Sequence, residues 1–324
     1  MIIAYCPAST GLQRVVLEEG QAIPANACWI DLFTPSKGEQ IAAEQLMGAQ
    51  IPTREEVASI ETSARLYDEP GAIVMTALLP MAAENPDPSL SSVIFVLNAK
   101  RMVTVRYGEP RSLVIFSKKV QADISIAHTG PALFFAMLDI VVDRCADILE
   151  EASARYDKLS LQVFEEGLSS RKTTLYQDAI RAQGRIGLRT AKMHEVCASL
   201  SRVTLFLGTH SKKLNLSTDQ IDMCKTIGRD IHSIKEHGDA LDNNLSFLLD
   251  ATIGLVTLEQ NQIIKIFSVL GVIFLPPTLI ASIYGMNFEN MPELKWSLGF
   301  PFSIVLMGGS IALTFLFFRL KKLL

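Results

Sequence analysis

The chain lacks several features that define common classes of protein. Its five cysteines are odd in number and widely spread, with no Cys-x-x-Cys spacing. This pattern argues against a disulfide framework or a zinc ribbon, and we expect reduced, structural cysteines. The first residues lack a basic segment followed by a long apolar run, so we expect no cleavable signal peptide. We find no Walker motif and no nucleophile–base arrangement, and therefore expect no enzyme.

Charge is scarce toward the end of the chain. Residues 266–324 contain two acidic and four basic residues, a net charge of +2, whereas the whole chain is at −4. Residues 1–265 therefore carry a net charge of −6. An acidic portion of this size argues against a nucleic-acid partner and suits cations.

Two uncharged runs dominate this part of the sequence. From Ile266, nineteen residues run to Tyr284 without a charge, enough for about 28 Å of helix and hence for the hydrocarbon core of a bilayer. A second run extends over 296–318, so we expect a membrane hairpin. The flanks are basic at Lys265 and in the tail 319–324, which by the positive-inside rule puts both ends in the cytoplasm and the loop 288–295 outside.

Residues 1–128 predict a sheet with helices beside it. Short apolar runs bounded by turn residues are strand candidates: Met1 to Tyr5, Leu12 to Leu17, Cys28 to Leu32, Ala72 to Leu79, Val93 to Leu97 and Met102 to Val105. Thr34 before Pro35 predicts a helix cap, and Thr53 with Glu56 predicts a capping box. Turns are expected at 86–88 and 98–100.

Residues 129–216 predict a helical hairpin, with helices over about 131–166 and 171–207 and a turn at Gly167 to Ser170. Ser217 with Gln220 forms another capping box, and no proline follows until Pro276. One stalk helix over 217–287 can therefore continue into the first span. Its apolar positions alternate in steps of three and four, which predicts a seam against neighbouring helices: Ile227, Ile231, Ile234, Leu241, Leu245 and Leu248.

The same spacing continues from Asp250 as a stripe of mostly small or polar residues. Its members are Asp250, Gly254, Thr257, Asn261, Ile264, Ser268, Gly271, Leu275, Thr278 and Ser282. A water-filled axis would accept such a stripe, but small residues at helical spacing also mark tight helix packing, and spacing alone leaves both interpretations open. A pore requires several copies around an axis. Ile264 and Leu275 would then form apolar rings, and Asp250, Asn261 and Thr278 polar rings.

The motif Tyr284-Gly285-Met286-Asn287-Phe288, followed by Met291-Pro292-Glu293-Leu294, resembles the CorA family of magnesium transporters. The resemblance implies a homopentamer whose first membrane helix lines the pore. It places Gly285, Met286 and Asn287 at the outer mouth, where an Asn287 ring accepts a hydrated cation. Leu275 stands where the family often has methionine. The cofactor implied is Mg²⁺, transported and regulatory, with no organic cofactor.

Family resemblance also suggests that cytosolic Mg²⁺ bridges acidic residues between subunits and holds the pore closed. The candidates are Asp230 on the stalk helix, and Asp68 or Glu69 in the α/β part. In the external loop, Glu289 and Glu293 either concentrate cations at the entrance or only keep the surface soluble.

The fold class expected is therefore α+β, with a cytoplasmic α/β domain, long helices and a two-span membrane hairpin in a cyclic homo-oligomer. The function expected is potential-driven Mg²⁺ uptake, with Co²⁺ and Ni²⁺ as lesser ions, in a bacterial inner membrane. The partners expected are the lipid bilayer, further copies of the chain and divalent cations. The alternatives are a zinc transporter of the related ZntB branch and a membrane-anchored metal sensor.

Overall fold

The computed structural model describes residues 1–8, 11–18, 20–57, 65–81, 89–123, 128–165, 172–287, 291–292 and 296–321. The chain forms two compact units, Met1–Leu249 and Asp250–Leu324. The expected turns at 86–88 and at Gly167 to Ser170 lie outside the described residues.

The first unit is built on a seven-stranded sheet in the order β2-β1-β3-β7-β6-β5-β4. Its strands are β1 Ile2–Ala8, β2 Gly11–Leu17, β3 Trp29–Phe33, β4 Leu66–Glu69, β5 Ala72–Pro80, β6 Leu90–Leu97 and β7 Met102–Arg106. Strands β3 and β7 pair in parallel, and the other described pairs are antiparallel. The six predicted strands are confirmed, and β4 was not predicted.

Seven helices accompany the sheet among the described residues. They are α1 Lys37–Met47, α2 Arg54–Val57, α3 Arg111–Ala122, α4 Gly130–Glu165, α5 Lys172–Thr209, α6 Thr218–Tyr284 and α7 Gly299–Leu320. Three long helices, α4, α5 and α6, follow the sheet, as the sequence predicted. Helix α3 was not predicted.

Of the three helix caps predicted from the sequence, two are present and one is wrong. The Thr34 cap is wrong: Ser36 caps α1 in a capping box with Glu39, and Thr34 instead takes a left-handed conformation at φ 42°. The backbone N–H groups of Ser36 and Glu39 are each satisfied by the other residue's side chain. The capping boxes of Thr53 with Glu56 and of Ser217 with Gln220 are confirmed by reciprocal hydrogen bonds.

The sheet is buried on both faces. Alternate residues of β5 enter different clusters: Ile73 and Met75 pack with α3, α4 and α5, whereas Val74 packs with α1 on the other side. Side chains of a strand point alternately to opposite faces, and a strand covered on both faces is therefore apolar along its length. This explains why the strands are visible in the sequence as nearly continuous apolar runs.

The apolar seam of α6 is buried within the first unit. Ile227, Ile231, Leu241, Leu245 and Leu248 are buried, and Ile234 packs half-buried against the core that includes α4 and α5. The neighbouring helices that the spacing required are thus the chain's own. Close contact with α5 also explains a glycine in the seam, because a Cβ at Gly238 would lie 3.0 Å from the His194 ring.

A buried polar network ties the two parallel strands together. The Arg106 guanidinium makes a two-pronged ion pair with Asp31, with its Nη2 atom 2.9 Å from Oδ2. Thr104 donates its hydroxyl to Asp31 at 2.7 Å, and Trp29 donates its indole N–H to Thr104 at 3.1 Å. Buried charges are tolerated only when they are paired and hydrogen-bonded in this way.

We expect Asp31→Asn to lower the free energy of unfolding by about 3–5 kcal/mol, because Arg106 would keep a buried charge without its partner. The measurement is urea unfolding of the detergent-solubilised full chain, followed by circular dichroism. The control Asp147→Asn breaks an exposed pair with Arg144 and should cost less than about 1 kcal/mol. Equal losses in both variants would contradict this role of the pair.

Candidate ion pathway

Helix α7 and the later part of α6 are long and apolar enough to cross a membrane, by length and composition. The most apolar window of α6 is 0% buried within one copy of the chain, and that of α7 is 6% buried. A soluble protein would bury such surface in its own core. These two helices therefore expose their apolar side chains to whatever surrounds a single copy, either lipid or further copies.

The ten stripe residues from Asp250 to Ser282 share one face of α6. At about 100° per helical residue they stay within a sector of about 120° over the whole distance. Every one of them is exposed in the single copy. The stripe is therefore not used for packing inside the chain.

Two hydroxyls of the stripe are satisfied by the helix itself. Thr257 donates to the carbonyl oxygen of Ile253 at 2.9 Å, and Thr278 donates to that of Phe274 at 2.7 Å. A hydroxyl that donates in this way keeps its lone pairs free to accept hydrogen bonds. Both threonines therefore present an acceptor oxygen on the stripe face, as water around a hydrated cation requires.

The stripe glycines have open space beside them. A Cβ added at Gly254 or Gly271 would meet no heavy atom within 4 Å outside its immediate helical surroundings. Glycine weakens a helix by about 1 kcal/mol relative to alanine. The packing of the described residues gives no reason for glycine at these two positions.

The proline pair Pro276-Pro277 lies inside α6, and the helix continues past it to Tyr284. Neither proline has a backbone N–H, so the carbonyl groups of Val272 and Ile273 lose their usual donors four residues later. Thr278 follows directly, and its hydroxyl reinforces the next carbonyl group, that of Phe274. The pair thus interrupts the hydrogen-bond ladder without ending the helix.

Gly285, Met286 and Asn287 follow the end of α6, and all three are exposed. The N–H of Gly285 donates to Ala281 at 3.0 Å, and the N–H of Met286 donates to Ile283 at 3.2 Å. A Cβ at Gly285 would lie 3.1 Å from the carbonyl oxygen of Ala281, which favours glycine at this tight turn. The loop candidates Glu289 and Glu293 lie outside the described residues.

The structure adds a partner to one of the regulatory candidates. Asp68 lies on the edge strand β4, where the Lys213 ammonium, from the connection between α5 and α6, donates to its carboxylate and to the Glu69 carbonyl oxygen. The hydrogen bond from Lys213 is the main reason that the pKa of Asp68 is lowered. No local sequence pattern indicates this contact, because the two residues are 145 positions apart.

Asp230 is exposed on α6 and contributes to a local excess of negative charge. The pKa of Asp143 on α4 is raised, first by partial burial and then by the carboxylates of Asp139, Asp147 and Asp230. Within the described residues, no three His, Cys, Asp or Glu side chains come together as metal ligands. Asp230, Asp68 and Glu69 therefore do not form such a group in one copy.

These features define a class: a helical membrane protein with a large α/β unit, whose first membrane helix exposes a polar stripe. The model of the CorA-like Mg²⁺ transporter protein family matches residues 24–322. The chain belongs to this family. Its members are ion transporters or channels and not enzymes, in agreement with the expectation from the sequence.

The chain is similar to individual known proteins over nearly its whole length. The chain is 31% identical over 322 residues to the magnesium transport protein CorA of Escherichia coli K12, covering 99% of both chains, and equally similar to that of Salmonella typhimurium. Among solved structures, it matches the CorA magnesium transporter of Methanocaldococcus jannaschii with a TM-score of 0.74 at 17% identity, covering 98% of this chain and 97% of the other. The latter likeness shows a shared fold.

Proposed function

We propose that this chain carries Mg²⁺ across the membrane as a cyclic homo-oligomer of five copies. The observation that carries the proposal is the exposed stripe of α6, which ends at Gly285-Met286-Asn287. One helix cannot enclose a pathway for ions, whereas several copies around an axis can. The magnesium transport named for relatives with 31% identity over 99% of the chain supports the same ion. The names of these relatives do not favour the alternative function of a zinc transporter.

The order of residues along the stripe supports a gated pore. Asp250 and Asn261 would form polar rings, and Ile264 and Leu275 would form apolar rings that close by losing water. Ser268 and Gly271 have small side chains and would leave a wider, hydrated section between these two apolar rings. Beyond Leu275, Thr278 adds a ring of acceptor oxygens. Repeated around an axis, this order gives hydrated sections separated by two apolar constrictions.

Asn287 is proposed as the entrance filter, together with the backbone of Gly285 and Met286. Mg²⁺ gives up its water reluctantly and prefers an octahedral shell of oxygens. A ring of neutral amides can accept hydrogen bonds from that water shell without stripping it, which selects for a hydrated cation. Co²⁺ and Ni²⁺ are proposed as secondary ions of the same filter. Glu289 and Glu293 in the following loop would raise the local cation concentration.

The membrane potential is the proposed driving force. With both ends of the chain in the cytoplasm of a bacterium and the loop outside, a divalent cation that enters gains about 4.6 kcal/mol per 100 mV, twice the value for a single charge. No chemical reaction needs to be coupled to such movement. The proposed location is the inner membrane.

Regulation by cytosolic Mg²⁺ is proposed to take ligands from two copies, among Asp230, Asp68 and Glu69. This matches the absence, within the described residues of one copy, of a group of three metal-binding side chains. At Asp68 the cation must compete with the Lys213 ammonium, which already neutralises that carboxylate. Lys213 would therefore set the Mg²⁺ concentration at which the pore closes.

We expect Asn287→Ala to reduce Mg²⁺ flux at least tenfold, because the filter would lose the side-chain oxygens that hold the hydrated ion. The measurement is uptake into liposomes that contain the purified protein and a Mg²⁺-sensitive dye. The control Asn244→Ala removes an exposed amide elsewhere on α6 and should leave the flux unchanged. Full flux in Asn287→Ala would contradict the filter.

The same assay separates a pore from a membrane-anchored sensor. Thr278→Leu replaces the proposed acceptor ring with an apolar one and should abolish most of the flux. The matched control is Thr314→Leu on α7, where the threonine hydroxyl also donates to its own helix, at 2.9 Å. A membrane-anchored sensor would show no Mg²⁺ flux in this assay, with or without these changes.

We expect Lys213→Met to lower the Mg²⁺ concentration that closes the pore several-fold, because Asp68 would be free to bind the cation. Flux is measured at increasing Mg²⁺ on the side of the α/β unit. The control Lys225→Met breaks an exposed pair with Asp222 and should leave the closing concentration unchanged. An unchanged value for Lys213→Met would exclude Asp68 as a regulatory ligand.

A further inference from the structure

A polar pocket lies at one end of the sheet, where the end of α1, the β4–β5 turn, the β6–β7 turn and the connection between α5 and α6 meet. It measures about 400 Å³, which is within the range of small-molecule sites. Three of the described residues that line it are cations and none is acidic: Lys100, Arg101 and Lys213. The others are Leu46, Gly71, Ala72, Asn98, Ala99 and Leu214. All of them belong to the first unit.

The β6–β7 turn holds two of these cations in place. The side-chain oxygen of Asn98 accepts hydrogen bonds from the backbone N–H groups of Lys100 and Arg101, both at 2.9 Å. The start of α4 packs directly on this turn, since a Cβ at Gly130 would clash with the carbonyl oxygens of Asn98 and Arg101. The backbone that carries Lys100 and Arg101 is therefore fixed before any ligand binds, which lowers the entropic cost of binding.

The charges of these two residues are not neutralised. Lys213 already contacts the Asp68 carboxylate. Lys100 is exposed, and in the part of the chain that the structure describes neither Lys100 nor Arg101 has a carboxylate within 4.0 Å. An anion that binds beside them would therefore meet two cations without having to displace a carboxylate.

The Arg101 guanidinium also has a donor without an acceptor. Its Nη2 atom donates to the carbonyl oxygen of Ala25 at 3.1 Å. Its Nη1 atom is buried and has no hydrogen-bond partner among the described residues. A buried donor without a partner is destabilising, and such groups in native proteins call for an explanation. An oxygen of a bound anion would supply the missing acceptor.

We propose that this pocket binds a small soluble organic compound through its phosphate group. Arginine suits phosphate because its planar guanidinium presents several N–H donors to the oxygens, and Lys100 adds a second positive charge. The uncharged part of the lining, which includes Leu46 and Ala99, can contact the organic part of the ligand. This binding is separate from ion conduction and does not require it.

The test is isothermal titration calorimetry of the full-length protein in detergent, in a buffer without phosphate. The probes are adenosine monophosphate and glucose 6-phosphate, and we expect wild-type protein to bind one or both. Adenosine and glucose, which lack the phosphate group, should bind about tenfold more weakly or not at all. Added salt should weaken the binding of the phosphorylated probes, because ions screen exposed charges.

The double variant Lys100→Gln, Arg101→Gln should bind the phosphorylated probe about tenfold more weakly, since both cations without carboxylate partners are lost. The control Arg111→Gln, Lys118→Gln removes two exposed cations of α3 that do not line the pocket, and its affinity should match that of wild type. Circular dichroism shows whether each variant is folded. Lys100→Gln alone keeps the hydrogen bond from Arg101 to Ala25 and should also weaken binding.

Three results would overturn the proposal. The first is that neither phosphorylated probe binds wild-type protein, or that the pocket variants bind it as tightly as wild type does. The second is equal affinity for adenosine monophosphate and adenosine, which would mean that the phosphate is not recognised. The third is that inorganic phosphate or citrate binds as tightly as the organic phosphates and is lost in the pocket variant. That result would assign the pocket to anions in general.

Discussion

The polar face of a membrane helix is the constraint on which the rest of this structure depends. In hydrocarbon, a carboxylate, an amide or a hydroxyl without a partner costs several kcal/mol. Within the span, the stripe residues from Ser268 to Ser282 are exposed in a single copy, so water or neighbouring copies must surround them. A cyclic assembly does both, because it gathers the polar faces around a hydrated axis and leaves the apolar faces to lipid.

Helix α6 combines two kinds of surface. Over 218–249 its apolar seam is buried against the chain's own helices, and this packing compensates for the glycines in that part of the helix. Over 250–284 most of its side chains are exposed, and only Thr252 is buried. The same three and four spacing therefore serves intramolecular packing in the first part and, by our proposal, assembly and conduction in the second.

Much of this fold was predictable from the sequence because local chemistry determines it. The strands are buried on both faces and appear as apolar runs, and the capping boxes at Thr53 and Ser217 are set by two side chains three residues apart. The prediction of a cap at Thr34 was wrong because Ser36, two residues later, forms the capping box with Glu39. Strand β4 was missed because an edge strand with residues such as Asp68 and Glu69 has no apolar run.

The site was predictable where it follows helical spacing and the Gly285-Met286-Asn287 motif, and not where it depends on contacts between distant segments. Lys213, in the connection before α6, contacts Asp68 on β4 although 145 positions separate the two residues. Periodicity within one helix contains no information about such partners.

The most direct test of the account is the accessibility of single cysteines on two faces of α6 in the assembled protein. The five native cysteines are buried and give little background. Ser268→Cys lies on the stripe and Leu270→Cys lies about 200° away around the helix. The account predicts that a water-soluble thiol reagent modifies Cys at 268 and blocks Mg²⁺ flux, while Cys at 270 stays unmodified in lipid. Modification at 270 with protection at 268 would contradict it.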